Sequence, residues 1–192
     1  VATQKYVDGM IAPDRGCVVS FADKAALVND RGLSSDYTSI KDDLATVGYS
    51  SGTNLEAALS AATKELETHG QTGKMQLAIL LTDGIPDPPE ANVSMATVQR
   101  ILDRHVMLYT IGLGEDLDES LLVWLANITG GRYYHAKTAS ELEAIYLGIS
   151  NGFKNYTAAM DIMVHEVLAP GVHLVPGSAQ PLQESSGKIP VS

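Results

Sequence analysis

Leu77 to Leu81 is an unbroken apolar run that ends at Thr82-Asp83-Gly84. Five apolar residues in a row suit a strand buried on both faces of a mostly parallel sheet, where helices cover each side. The run stops at a hydroxyl, a carboxylate and a glycine that permits an abrupt turn. Open α/β sheets bind ligands just beyond the carboxyl ends of their strands. Asp83 therefore stands where a binding residue would stand; the plainer alternative is that it caps the following turn.

The segments around that strand alternate between helical and extended patterning. Val1 to Ala12 places Thr3, Val7, Met10 and Ile11 on one face, and Pro13 ends the expected helix. Gly16 to Phe21 and Ala25 to Val28 are expected strands, with Asp23-Lys24 turning between them. Asp36 can cap a helix with Tyr37, Ile40 and Leu44 inward. After the glycine-bounded loop Gly48–Gly52, Thr53 or Asn54 caps a stronger helix. Its Leu55, Ala58, Leu59, Ala62 and Leu66 follow helical spacing, with Gly70 just past the end.

Beyond Pro86-Asp87-Pro88-Pro89, the pattern predicts a helix with Met95, Val98 and Leu102 inward, then a strand over Val106–Ile111 closed by Gly112-Leu113-Gly114. Asp118 opens a helix carrying Leu121, Leu122 and Leu125, and Gly130-Gly131 leads to a short strand, Arg132–His135. Ser140-x-x-Glu143 has the form of a capping box before a helix with Leu142, Ile145, Tyr146 and Ile149. Strands alternating with helices imply an α/β domain over residues 1–152. From residue 153 the patterning changes, and Met160–Val167 and Val172–Val175 suggest strands of a β-sandwich-like module.

The net charge is −10. Residues 153–192 hold two lysines and three acids, −1 of that total, so the first 152 residues carry −9. Such a balance disfavours nucleic acid, whose phosphates need clustered Lys and Arg. It suits a divalent cation or simply a soluble surface. No apolar run approaches about 18 residues, so no membrane span is expected, and the opening residues do not resemble a signal peptide. The lone Cys17 lies in an apolar run and is expected in the core, which excludes an internal disulfide. Asn92, Asn127 and Asn155 begin glycosylation sequons, relevant only in a secretory route.

The ordered set SSGTNLEAAL, LAILLTDGIPD, VMLYTIGLGEDLDESLLVWLANITGGRYYHA and ELEAIYLGI resembles a von Willebrand factor A domain over about the first 150 residues. The resemblance implies a Rossmann-like, mostly parallel sheet between two helical layers. It also implies a metal-ion-dependent adhesion site at the carboxyl ends of the strands. Three loops supply that site in the family: an Asp-x-Ser-x-Ser motif, a Thr and an Asp. By resemblance Thr53 takes the second role and Asp83 the third, holding Mg²⁺ or Mn²⁺, with Ca²⁺ a further candidate. The open coordination position would take an acidic group from a partner protein, with Ser51, Asn54, Pro86 and Asp87 rimming the contact.

No Asp-x-Ser-x-Ser occurs in these residues. In the family it follows a first strand that directly precedes the helix expected at Val1–Ala12. That strand and its loop are therefore expected from upstream residues or from another chain. A sheet without them would expose unpaired backbone. The expected function is a non-enzymatic binding or adhesion module, extracellular or on a cell surface. Two alternatives stand beside it: an intracellular chelatase-type or assembly-scaffold domain, and a Mg²⁺-dependent phosphohydrolase with Asp83 as nucleophile. The last would need a second acid and a basic residue near Asp83. Gly112-x-Gly114 lacks the rest of a phosphate loop and is expected to be a turn. The five histidines show no metal-ligand spacing.

Overall fold

The computed structural model describes residues 2–48, 52–86 and 92–160, with backbone alone for 154–160. The chain forms two compact units, Val1–Asn151 and Gly152–Ser192. The strands expected beyond Met160 lie outside the described residues.

The described elements run α1 (Gln4–Val7), β1 (Val19–Phe21), β2 (Ala25–Leu27), a 3₁₀ turn (Val28–Asp30), α2 (Tyr37–Thr46) and α3 (Leu55–His69), followed by β3 (Gln76–Thr82), α4 (Met95–Asp103), β4 (Val106–Leu113), α5 (Glu119–Ile128), β5 (Tyr133–Ala136) and α6 (Ala139–Met160). The strands form two sheets. One is the antiparallel pair β1–β2, and the other is a parallel sheet in the order β3-β4-β5. Gln76–Thr82 pairs in register with Val106–Gly112, and Thr110–Leu113 pairs with Tyr133–Ala136. Among the described residues β3 pairs with β4 alone.

The helices start where short polar side chains accept orphan backbone N–H groups. Asp36 accepts from Ser39 at 3.1 Å, Asn54 from Ala57 at 2.8 Å, Ser94 from Thr97 at 3.2 Å and Asp118 from Leu121 at 3.0 Å. One face of the parallel sheet presents Leu80, Val106 and Leu108. These pack against Leu55, Ala58 and Leu59 of α3, Val98 and Ile101 of α4, and Leu122 and Leu125 of α5. Strand alternation turns Tyr109 and Ile111 to the opposite face. Val7, Ile111, Tyr146 and Ile149 are also buried, outside that cluster. Each such fully buried apolar side chain contributes roughly 1.5–3 kcal/mol. The result is the expected α/β architecture, a mostly parallel sheet flanked by helices.

Several local expectations are corrected. The first helix spans Gln4–Val7 rather than Val1–Ala12, and Ile11 is 61% exposed. β3 is not buried on both faces: Leu80 is buried, whereas Leu77, Ile79 and Leu81 are only half-buried. The three alternate with Leu80 and so lie on the face opposite the α3, α4 and α5 residues that bury it. Met95 does not face inward, and Thr97, Val98 and Ile101 form the inner face of α4 instead. The last helix is capped two residues earlier than Ser140: Thr138 Oγ1 accepts from Glu141 N, and Glu141 accepts from Lys137 N. Glu143 instead pairs with Lys5 at 3.7 Å. That helix continues past Gly152 to Met160.

Candidate metal centre

β3 delivers its last residue, Thr82, into the interior at 4% exposure, and the chain turns at once. Gly84 N donates to Thr82 Oγ1 at 3.3 Å, tightening the turn and leaving Asp83 exposed at its tip. The loop before α3 comes to the same place. Thr53 Oγ1 lies 2.7 Å from the point a Cβ on Gly84 would occupy. Glycine at 84 therefore lets the Thr53 hydroxyl approach the backbone beside Asp83, where any larger residue would intrude. The two sequence-predicted oxygen donors sit on segments that meet at the carboxyl end of the sheet.

Asn54 anchors this arrangement. Its N–H donates to Ala22 O at 2.8 Å, its Nδ2 donates to Asp23 O at 3.0 Å, and its Oδ1 accepts from Ala57 N. The side chain expected at the rim of a partner contact is thus engaged within the fold at both ends. Gly52 just before Thr53 has φ +98°, a conformation that favours glycine, and a Cβ there would collide with the Asp23 carboxylate. Pro86 is half-buried, with Ile85 beside it 55% exposed. Ser51 and Asp87 lie outside the described residues. Glu56, in the first turn of α3, accepts from Ser94 N at 2.8 Å, Ser94 Oγ at 3.2 Å and Thr97 Oγ1 at 2.6 Å. It ties α3 to the start of α4, on the far side of the loop that follows Asp83.

Hydroxyl and carboxylate oxygens are hard donors, suited to Mg²⁺ or Mn²⁺ rather than to a thiophilic ion. The space that a Cβ on Gly84 would fill is kept open beside them. Thr53 and Asp83 therefore fit part of such a shell, and waters or further groups must complete it. Among the described residues no three His, Cys, Asp or Glu side chains are grouped to hold a metal.

The remaining candidates resolve into structural roles. His69 pairs with Glu65 at 3.0 Å, and the ring of His135 meets Gly114 O. Gly112 lies within β4, packed under Leu117 and Tyr133, so only Gly114, at φ +89°, makes the expected turn. Of the acidic run 115–119, Asp118 caps α5 and Glu115 pairs with Lys137 at 3.7 Å. Burial pushes the Cys17 thiol up to about 11, with Glu65 adding to the effect. A thiol so held is a poor ligand at neutral pH.

Asp23 escapes a reading that treats Asp23-Lys24 as a hairpin turn. The signal that singles out Asp83, an acid just past the end of a strand, applies equally to Asp23.

Solved structures share this fold. A von Willebrand factor type A protein from Catenulispora acidiphila superposes with a TM-score of 0.69 at 20% identity over 78% of this chain and 36% of that one. Proximal thread matrix protein 1 from the mussel byssus, "with zinc occupied MIDAS motif", gives 0.61 at 22% identity, covering 78% and 39%. Manganese-loaded TRAP protein of Plasmodium vivax gives 0.57 at 20% identity, covering 76% and 63%. The chain thus spans little more than a third of the first two. A search of curated protein sequences finds no match. Residues 13–147 match the family described as von Willebrand factor type A domain, and the chain belongs to that family.

Proposed function

We propose that this domain is a non-enzymatic protein-binding module whose contact is assembled around a divalent cation, Mg²⁺ or Mn²⁺, held by Thr53 and Asp83. The observation that carries the reading is the approach of Thr53 Oγ1 to Gly84, which brings a hydroxyl and a carboxylate thirty residues apart to one rim. The metal-bearing mussel and Plasmodium neighbours support it. When bound, the cation supplies a Lewis-acidic position that an acidic group on a protein partner completes. The chain's own part is to hold its donors still. Asn54 pins the loop carrying Thr53, Thr82 tightens the turn carrying Asp83, and Glu56 fixes the neighbouring helix start. Ser51, Pro86 and Asp87 would rim the contact, and selectivity there arises from which partner side chains they accept. A further strand along the edge of β3 that no described strand pairs, from upstream residues or another chain, would extend the sheet beside this rim. Display outside the cell or on its surface fits such an adhesive role.

A cation that binds only the folded state stabilises it by about 2.7 kcal/mol at a hundredfold excess over Kd. For a chain of this size that is a rise in Tm of roughly 5–10 °C. We expect Mn²⁺ or Mg²⁺ to raise the melting temperature and a chelator to reverse it. Asp83→Ala should keep the chelated melting temperature and lose the response. A wild-type melting curve indifferent to both cation and chelator would refute the proposal.

A further inference from the structure

One hydroxyl and one carboxylate leave a divalent cation with a net positive charge. The affinity of oxygen-ligand sites rises with the number of charged ligands and with rigidity. The fold places a second carboxylate next to the same loop. Asp23 follows the end of β1 as Asp83 follows the end of β3, in a turn closed by Ala22 N donating to Lys24 O at 2.9 Å. Asn54 grips that turn twice, through Ala22 O and Asp23 O. The Asp23 carboxylate then lies against Gly52, in the space a side chain at that position would take. On its other side the loop presents Thr53 Oγ1 to Gly84, beside Asp83. Thr53 is thus flanked by two turns, each bearing an exposed aspartate.

We infer that Asp23 is the second acid of the centre, lending its charge to a divalent cation seated at Thr53 and Asp83. The inference rests on the cation reading above. It fits two features: the carboxylate lies in the space beside Gly52, whose φ of +98° itself favours glycine, and Asn54 holds the Asp23 turn in place through the backbone carbonyls of Ala22 and Asp23.

The test measures Mn²⁺ binding to the full 192-residue chain from the loss of the free-ion EPR signal, with melting in chelator as a check on the fold. Asp23→Asn keeps the shape and removes the charge. It should weaken Mn²⁺ binding about tenfold while leaving the chelated melting temperature unchanged. Asp23→Glu, which restores the charge, should recover most of the affinity. Asp103→Asn, an exposed acid just before the amino end of β4 and so at the opposite end of the sheet, should change it by less than about twofold. Wild-type affinity in Asp23→Asn overturns the inference and leaves the cation reading standing. So does a chelated melting temperature that falls together with the affinity, or a Glu variant as weak as the Asn variant, because shape rather than charge would then be at work. A wild-type chain that binds no Mn²⁺ overturns the cation reading and the role of Asp23 with it.

Discussion

Asp43 is 1% exposed on the inner face of α2, where a carboxylate survives only if its oxygens are used. Asn29 Nδ2 donates to one at 2.7 Å and Arg31 Nε to the other at 2.7 Å. These bonds fasten α2 to the turn after β2. Arg31 keeps 35% of its side chain in water, so its loss of a partner is softened. Asp43→Ala should therefore lower stability by about 2 kcal/mol, read as a reduced urea midpoint with unchanged slope. Local patterning misses this residue because its partners lie 12–14 positions away. A periodicity argument prefers Leu44, which is only half-buried. Thr53 and Asp83 are legible for the opposite reason: each follows a local boundary, a glycine loop or the end of an apolar run. The meeting of the two depends on Gly84, whose significance appears only when the loops are side by side.

Among elements, α3 and α4 are clamped by Arg100, whose Nε and Nη2 donate to the two carboxylate oxygens of Glu67 at 2.9 and 2.7 Å. The hydrogen bond from Arg100 holds the Glu67 carboxyl below its usual value of 4.5. A lowered folded-state value means the contribution is complete above the ordinary glutamate range and is lost as pH falls through the lowered value. Both side chains remain about a third exposed, which limits the clamp to no more than about 1 kcal/mol. Arg100→Met should thus be slightly less stable than wild type at neutral pH, and the gap should close in acid. Urea midpoints for the two proteins stepped down below about pH 4.5 check this; a gap that widens in acid would contradict it. The helices themselves are legible from caps and spacing, and α2, α3 and α5 begin within a residue of expectation. α1 is shorter than its apolar stripe predicts, and Ile11, the last residue of that stripe, is exposed. β3 reads as doubly buried because a run of five apolar residues does not reveal how fully helices cover each of its faces.

At the scale of the α/β unit, the governing feature is a pair of sheets bridged by α3, which packs against β1 and β2 and shares the core with β3 and β4. Parallel strands point alternate amides to alternate neighbours. β3 should therefore show two classes of amide hydrogen exchange in the 192-residue chain: one alternate set protected by β4, the other fast. Across β4, where residues 110–113 have β5 on the second side, protection should be uniform. Uniformly slow exchange along β3 would refute the open edge. An added strand, from upstream residues or another chain, should slow the fast set alone.

Glu56 sits at the amino-terminal ends of α3 and α4 together, so two helix dipoles lean on a single counter-charge. Unravelling at the start of α3 would carry that charge away from α4, so fraying of the second start is coupled to the first. A ligand that drew Glu56 away would loosen both starts at one stroke, and an event at one loop would be felt as a softening of a whole flank.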